Sequence, residues 1–125
     1  MSKSVRSIAV VDDDESFARA IGRLLRASGF AVHTYASAEA FLAGPPHPPP
    51  DCLLLDVQLG GMSGPDLLDR LRELGNLTPA IFVTGHDAPQ AAEQAKRAGC
   101  AAYLRKPVSE KVLLAAIAEA IRPDH

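Results

Sequence analysis

The strongest constraint on the fold is a pattern that recurs along the chain: a short apolar run, rich in β-forming residues, that ends abruptly on a polar side chain. Ile8-Ala9-Val10-Val11 stops at Asp12, Cys52-Leu53-Leu54-Leu55 stops at Asp56, and Ala80-Ile81-Phe82-Val83 stops at Thr84. A strand exposed on one face alternates apolar and polar residues, whereas an uninterrupted apolar run suits a strand covered on both faces. Ala101-Ala102-Tyr103-Leu104, running into Arg105-Lys106, and Phe30-Ala31-Val32-His33-Thr34-Tyr35 bring the candidate strands to five.

Helical patterns separate these runs. Phe17, Ile21, Leu24 and Ser28 follow helical spacing and are closed by Gly29. Leu67, Leu71 and Leu74 do the same, with Ser63 and Asp66 at capping distance before them and Gly75 after them. Leu113, Ala116, Ile117, Ala120 and Ile121 mark a last helix, and residues 37–42 and 89–98 give shorter or weaker ones. Strict β-α alternation with short connections predicts an α/β fold, a (βα)5 doubly wound parallel sheet. The expected form is flavodoxin-like, with strand order 2-1-3-4-5. Residues 44–50, which hold five of the ten prolines, read as a stiff connector before they read as a ligand for a proline-binding partner.

Ligands on such sheets bind beyond the carboxyl ends of the strands, near the point where strand order reverses. Asp12, Asp13, Asp56, Thr84 and Lys106 all fall at or just past predicted strand ends, so they should converge. Clustered carboxylates repel one another and either take up a proton or find a cation. An all-oxygen donor set suits Mg²⁺, or Mn²⁺, rather than zinc, and Mg²⁺ commonly completes its shell with a phosphate. An Asp carboxylate can itself accept a phosphoryl group when metal and ammonium offset the charge. Lys106 could supply that ammonium, and the Thr84 hydroxyl could donate to a phosphoryl oxygen. Helix capping is the plain alternative role for the acids after the first strand, and Asp14 and Glu15 suit it better than Asp12 and Asp13.

Composition narrows the function classes. A chain of 125 residues with 47% hydrophobic and 22% charged residues is sized for one ordinary domain. A net charge of −2 gives no electrostatic reason to bind nucleic acid or an anionic membrane. No apolar run approaches the roughly 18–20 residues of a membrane span, and the N-terminus turns acidic too early for a secretory signal, so the expected location is cytoplasmic. Two cysteines with His33, His47, His86 and His125 scattered make neither a disulfide framework nor a zinc site. Cys52 and Cys100 open the third and fifth strands. Two strand spacings are about 9.6 Å, beyond the roughly 7 Å limit between disulfide-linked Cα atoms, so both should be free thiols.

Val10-Val11-Asp12-Asp13-Asp14-Glu15, Leu54-Leu55-Asp56-Val57, Gly61-Met62-Ser63-Gly64, Val83-Thr84-Gly85-His86 and Lys106-Pro107 together resemble a response-regulator receiver domain, over about residues 7–121. Ser37-Ala38-Glu39-Ala40-Phe41-Leu42 and Phe82-Val83-Thr84-Gly85-His86 are most similar to the FixJ-like subgroup. That resemblance implies a phosphoacceptor, Asp56, modified by a histidine kinase or phosphotransfer protein in a two-component system. It implies Mg²⁺ held by Asp13, Asp56 and the backbone carbonyl of Gln58, with Asp12 acting through water. Thr84 and Lys106 would contact the phosphoryl group, Thr84 and Tyr103 would form the switch, and Gln58 and His86 would tune dephosphorylation. The implied partners are the phosphodonor, an output protein the sequence does not name, and a second copy of the chain as one form of the phosphorylated state.

The chain departs from the family at Gly60, where proline is usual, so the Leu59-Gly60-Gly61-Met62 loop should be looser than in relatives. Only Ala91, Ala95 and Ala98 anchor the helix before the last strand, which should make it the most mobile. With four residues after Ile121, the expectation is one receiver domain across 1–125 with no output domain, whether natural or cut from a longer regulator. Two other classes compete. A small aspartate-nucleophile phosphohydrolase carries a second acid two residues after the nucleophile, where this chain has Gln58. A flavin carrier needs a Ser/Thr/Gly-rich phosphate loop after the first strand, where this chain has Asp12 and Asp13.

Overall fold

The computed structural model describes residues 5–85 and 89–121. Five strands and five helices alternate: β1 (Ser7–Val11), α1 (Glu15–Ala27), β2 (Ala31–Tyr35), α2 (Ala38–Ala43), β3 (Cys52–Leu55), α3 (Gly64–Glu73), β4 (Ala80–Thr84), α4 (Pro89–Arg97), β5 (Ala102–Arg105) and α5 (Glu110–Ala120). The strands form one parallel sheet in the expected order, β2-β1-β3-β4-β5.

The apolar runs are buried on both faces, and successive residues serve different layers. Ala9, Val11, Leu53, Leu55, Ala80 and Phe82 pack against Phe41 of α2, Leu67, Leu68 and Leu71 of α3, and Ala95 of α4. Ile8, Val10, Leu54, Ile81 and Val83 pack on the other face against Ile21 and Leu25 of α1 and Leu113 and Ile117 of α5. Each of the valine, leucine, isoleucine and phenylalanine side chains among these, taken fully out of water, contributes on the order of 1.5–3 kcal/mol.

Capping fixes the helix boundaries. Asp14, Ser37, Ser63 and Ser109 each accept a backbone N–H from the first turn of α1, α2, α3 and α5, respectively. α1, α3 and α4 end alike, on glycines with positive φ: Gly29 (98°), Gly75 (85°) and Gly99 (82°). In each, the residue after the glycine donates back into the last turn: Phe30 to Leu25, Asn76 to Leu71 and Cys100 to Ala95. This closing turn corrects two sequence expectations. Phe30 belongs to the end of α1, so β2 starts at Ala31, and Cys100 belongs to the end of α4, so it precedes β5 and does not open it. Both cysteines are free, as expected. Residues 44–50 join α2 to β3 without helix or strand.

Candidate functional site

The site is a product of strand register. Val11 pairs with Leu55, so Asp12 and Asp56 leave adjacent strands side by side. The Asp56 N–H donates to the Val11 carbonyl at 3.0 Å, and the Asp12 N–H donates to the Tyr35 carbonyl, also at 3.0 Å. β1 lies between β2 and β3, so these carboxylates stand where successive connections diverge, the place such sheets reserve for ligands. Asp12 and Asp56 are 3% and 4% exposed, while Asp13 faces solvent. One carboxylate oxygen from each of the three lies within 4.8 Å of the others.

Lys106 supplies the countercharge. Its Nζ is 3.0 Å from Asp12 Oδ2 and 3.6 Å from Asp56 Oδ2, and 4.2 Å from the centroid of the Phe17 ring. Burial raises the Asp12 carboxyl above its ordinary range, and the nearby Asp56 charge adds to this. The Asp14 N–H, which donates to Asp12 Oδ1 at 2.9 Å, and Lys106 oppose the shift without cancelling it. For Lys106, burial works against the charged form, yet the hydrogen bond to Asp12 and the charges of Asp12, Asp56 and Asp14 outweigh it and hold the ammonium above its usual range. The Lys106-Pro107 bond is cis, and the Lys106 N–H donates to the Thr84 carbonyl at 2.8 Å, which ties the lysine to the end of β4.

Thr84 is fully buried at the last position of β4. Its place in the alternation puts it on the face of Phe82, which pairs with Tyr103. Tyr103 is partly buried against the core under α2, α3 and α4, so Thr84 and Tyr103 share one face of the sheet. Gln58 is exposed, and its N–H donates to Asp56 Oδ1 at 3.2 Å. His86 lies outside the described residues.

Three contributors had no role assigned from sequence. Gly64 opens α3 against the carbonyl oxygen of Asp56, and any Cβ there would overlap that oxygen and stand 2.9 Å from Phe82 Cε1. Glu39 of α2 accepts the Met62 N–H at 2.8 Å. The loop expected to be loose at Gly60 therefore has an anchor at Met62, and the Met62 N–H holds the Glu39 carboxyl below its usual range. Phe17 backs Lys106. Gly64 and Glu39 lie within motifs quoted for the family resemblance, whereas Phe17 reads in sequence only as an apolar helix position.

A parallel (βα)5 sheet with a carboxylate cluster and a lysine across its carboxyl edge is the arrangement of a response-regulator receiver domain. Residues 8–118 match the family described as response regulator receiver domain. The response regulator protein TodT of Pseudomonas putida F1 is 37% identical over 122 residues, covering 98% of this chain and 54% of TodT. The transcriptional regulatory protein FixJ of Rhizobium meliloti strain 1021 is 38% identical over 115 residues, covering 91% of this chain and 56% of FixJ. A crystal structure of a CheY-like response regulator receiver domain protein from Methanospirillum hungatei JF-1 superposes with a TM-score of 0.87 at 30% identity, covering 94% of each chain. The chain belongs to the response-regulator receiver family of two-component systems and is a FixJ-like receiver domain. It spans about half the length of the curated relatives it matches. Among the described residues, no helix is long and apolar enough to cross a membrane.

Proposed function

We propose that residues 7–121 act as one phosphorylation-controlled switch, in which Asp56 accepts a phosphoryl group from a phosphohistidine on a histidine kinase or phosphotransfer protein. The supporting observation is the shared ammonium: two buried carboxylates at adjacent strand ends, 3.0 and 3.6 Å from one lysine, with a third carboxylate at the rim. An Asp56 oxygen attacks phosphorus, the phosphorus–nitrogen bond of the donor breaks, and the donor imidazole leaves with the electron pair. The product is an acyl phosphate on Asp56.

The donor set fits a hard divalent cation, since it offers carboxylate oxygens and no sulfur or imidazole among the described residues. Asp12, Asp13 and Asp56, with the Gln58 carbonyl, would hold Mg²⁺, or Mn²⁺, which would offset charge on the transferring group. Lys106 provides a second positive charge to the phosphoryl oxygens. The Thr84 hydroxyl would donate to one of them, and its inward movement would be followed by Tyr103 on the same face. Gln58 and His86, two residues after Asp56 and Thr84, would set how readily water reaches the phosphoryl group. An output partner, or a second copy of the chain, would read the face that Tyr103 helps to form.

The test is acetyl phosphate labelling with Mg²⁺. Wild type should gain one phosphoryl group labile to acid and to base, as an acyl phosphate is, detectable as an increase in intact mass. Asp56→Asn should gain none, and chelation of the metal should suppress the reaction in wild type. Full labelling of Asp56→Asn would overturn the assignment.

A further inference from the structure

Lys106 has the most rotatable side chain in the site, and holding its ammonium still costs rotamer freedom. Two carboxylates hold it, and its Nζ also lies 4.2 Å from the centroid of the Phe17 ring, within the distance at which a cation is drawn to an aromatic face. The lysine is only 16% exposed, so this attraction is little screened. The ring is itself fixed from below. Asp14 caps α1 by accepting the Phe17 N–H at 3.1 Å, and the side chain packs against the core between the sheet, α1 and α5. Asp14 also donates its own N–H to Asp12 Oδ1, so one residue locates both the aromatic and the carboxylate contact of the ammonium.

We propose that Phe17 is a positioning residue for phosphoryl transfer: its ring face holds the Lys106 ammonium over the Asp12–Asp56 pair, where the incoming phosphoryl oxygens need it. The proposal rests on Asp56 being the phosphoacceptor. Its chemistry is specific to an aromatic face. A branched aliphatic side chain fills comparable space and keeps the apolar packing but has no quadrupole, so it should leave the helix in place and release the lysine.

The experiment compares wild type, Phe17→Leu and Phe17→Tyr. The first readout is the NMR shift of the Lys106 ε-methylene protons, which a ring face displaces upfield. The displacement should be present in wild type and Phe17→Tyr and lost in Phe17→Leu. The second is the rate of acetyl phosphate labelling at saturating Mg²⁺, which should fall about three- to tenfold in Phe17→Leu and be restored in Phe17→Tyr. Thermal unfolding of the three proteins separates this from a loss of fold. An unshifted Lys106 methylene in wild type would overturn the proposal, as would a Phe17→Leu protein that loses the shift and labels at the wild-type rate. If wild type is not labelled at Asp56, the phosphoacceptor reading fails first and the proposed role goes with it. The methylene shift would still report the contact itself.

Discussion

Gly64 lies against the backbone of Asp56 so closely that its Cα leaves no room for a side chain: a Cβ would overlap the Asp56 carbonyl oxygen. The N-terminal turn of α3 is thereby seated directly behind the carboxylate. The Gly64 N–H donates to the Val57 carbonyl at 2.9 Å, closing the loop in between. Neither backbone segment can yield without disturbing β3, so even one methyl group must move the strand end or the helix.

Gly64→Ala should therefore destabilise the protein by about 1–3 kcal/mol, in the range of overpacked cores, although alanine favours helix over glycine. A lower urea midpoint with an unchanged slope would show it. An unchanged midpoint would mean that α3 can shift at no cost.

The Asp12–Asp56 pair predicts the opposite sign for a different substitution. Burial raises the Asp12 carboxyl, and Lys106 and the Asp14 N–H do not fully offset it, so its charge at neutral pH works against folding in the metal-free protein. Asn keeps an oxygen for the Asp14 N–H and removes the charge. Asp12→Asn should raise the urea midpoint in the presence of chelator, and added Mg²⁺ should stabilise wild type more than the variant. A lower midpoint in chelator would mean that the Lys106 contact outweighs burial.

Much of this site is legible in sequence because strand ends are marked by chemistry. An apolar run that stops at an acid or a hydroxyl states both the buried strand and its ligand edge, so Asp12, Asp56 and Thr84 could be placed together. Alternation and right-handed crossovers state a doubly wound parallel sheet, and 2-1-3-4-5 is one of the two common orders such a sheet takes. What stayed hidden depends on distance across the fold. Glu39 and Met62 are 23 positions apart, and nothing in either residue announces that α2 anchors the β3–α3 loop. The ring face that Phe17 turns to Lys106 is likewise a matter of packing, since an apolar helix position reads the same whichever cation it meets. Phe30 and Cys100 read in sequence as strand residues because a helix-closing turn and a strand start both favour apolar residues after glycine.

The two thiols should differ sharply in reactivity. Burial pushes the Cys52 thiol up to about 12, opposed by its contact with the Leu53 carbonyl, whereas Cys100, its thiol also raised by burial, is only partly buried. A disulfide-exchange reagent at pH 8 should label Cys100 first and reach Cys52 only as fast as the protein unfolds. The folded value for Cys52 lies above the unfolded one, about 8.5, so its contribution to stability is complete below that pH. It is lost as pH rises toward about 12. Cys52→Ala should therefore lose less stability than wild type between about pH 9 and 11. Rapid labelling of Cys52 in the native protein would show that β3 opens locally.

The last prediction concerns transmission from Asp56 to the surface. Thr84 is buried at the end of β4, on the same sheet face as Phe82 and its register partner Tyr103. A phosphoryl group on Asp56 would offer oxygens to the Thr84 hydroxyl, and a threonine drawn toward them would vacate space on the Tyr103 side. Tyrosine suits a two-state element because its ring gains from burial while its hydroxyl needs a partner, so the inward and outward positions should lie within a few kcal/mol. Among the described residues of α4, Ala95 is the fully buried one on that face, and a methyl contributes little to holding a helix. Tyr103 and α4 should therefore move together. Thr84→Ala removes the hydroxyl, leaves Asp12, Asp56 and Lys106 in place, and should leave labelling within about tenfold of wild type, the loss of one hydrogen bond. In wild type, beryllofluoride with Mg²⁺ should shift the amide resonances of residues 95–103. In Thr84→Ala those shifts should largely disappear while resonances beside Asp56 still respond. Equal responses at residues 95–103 in both proteins would remove Thr84 from the relay and leave Lys106, bonded through its backbone to the same strand end, as the connection to pursue.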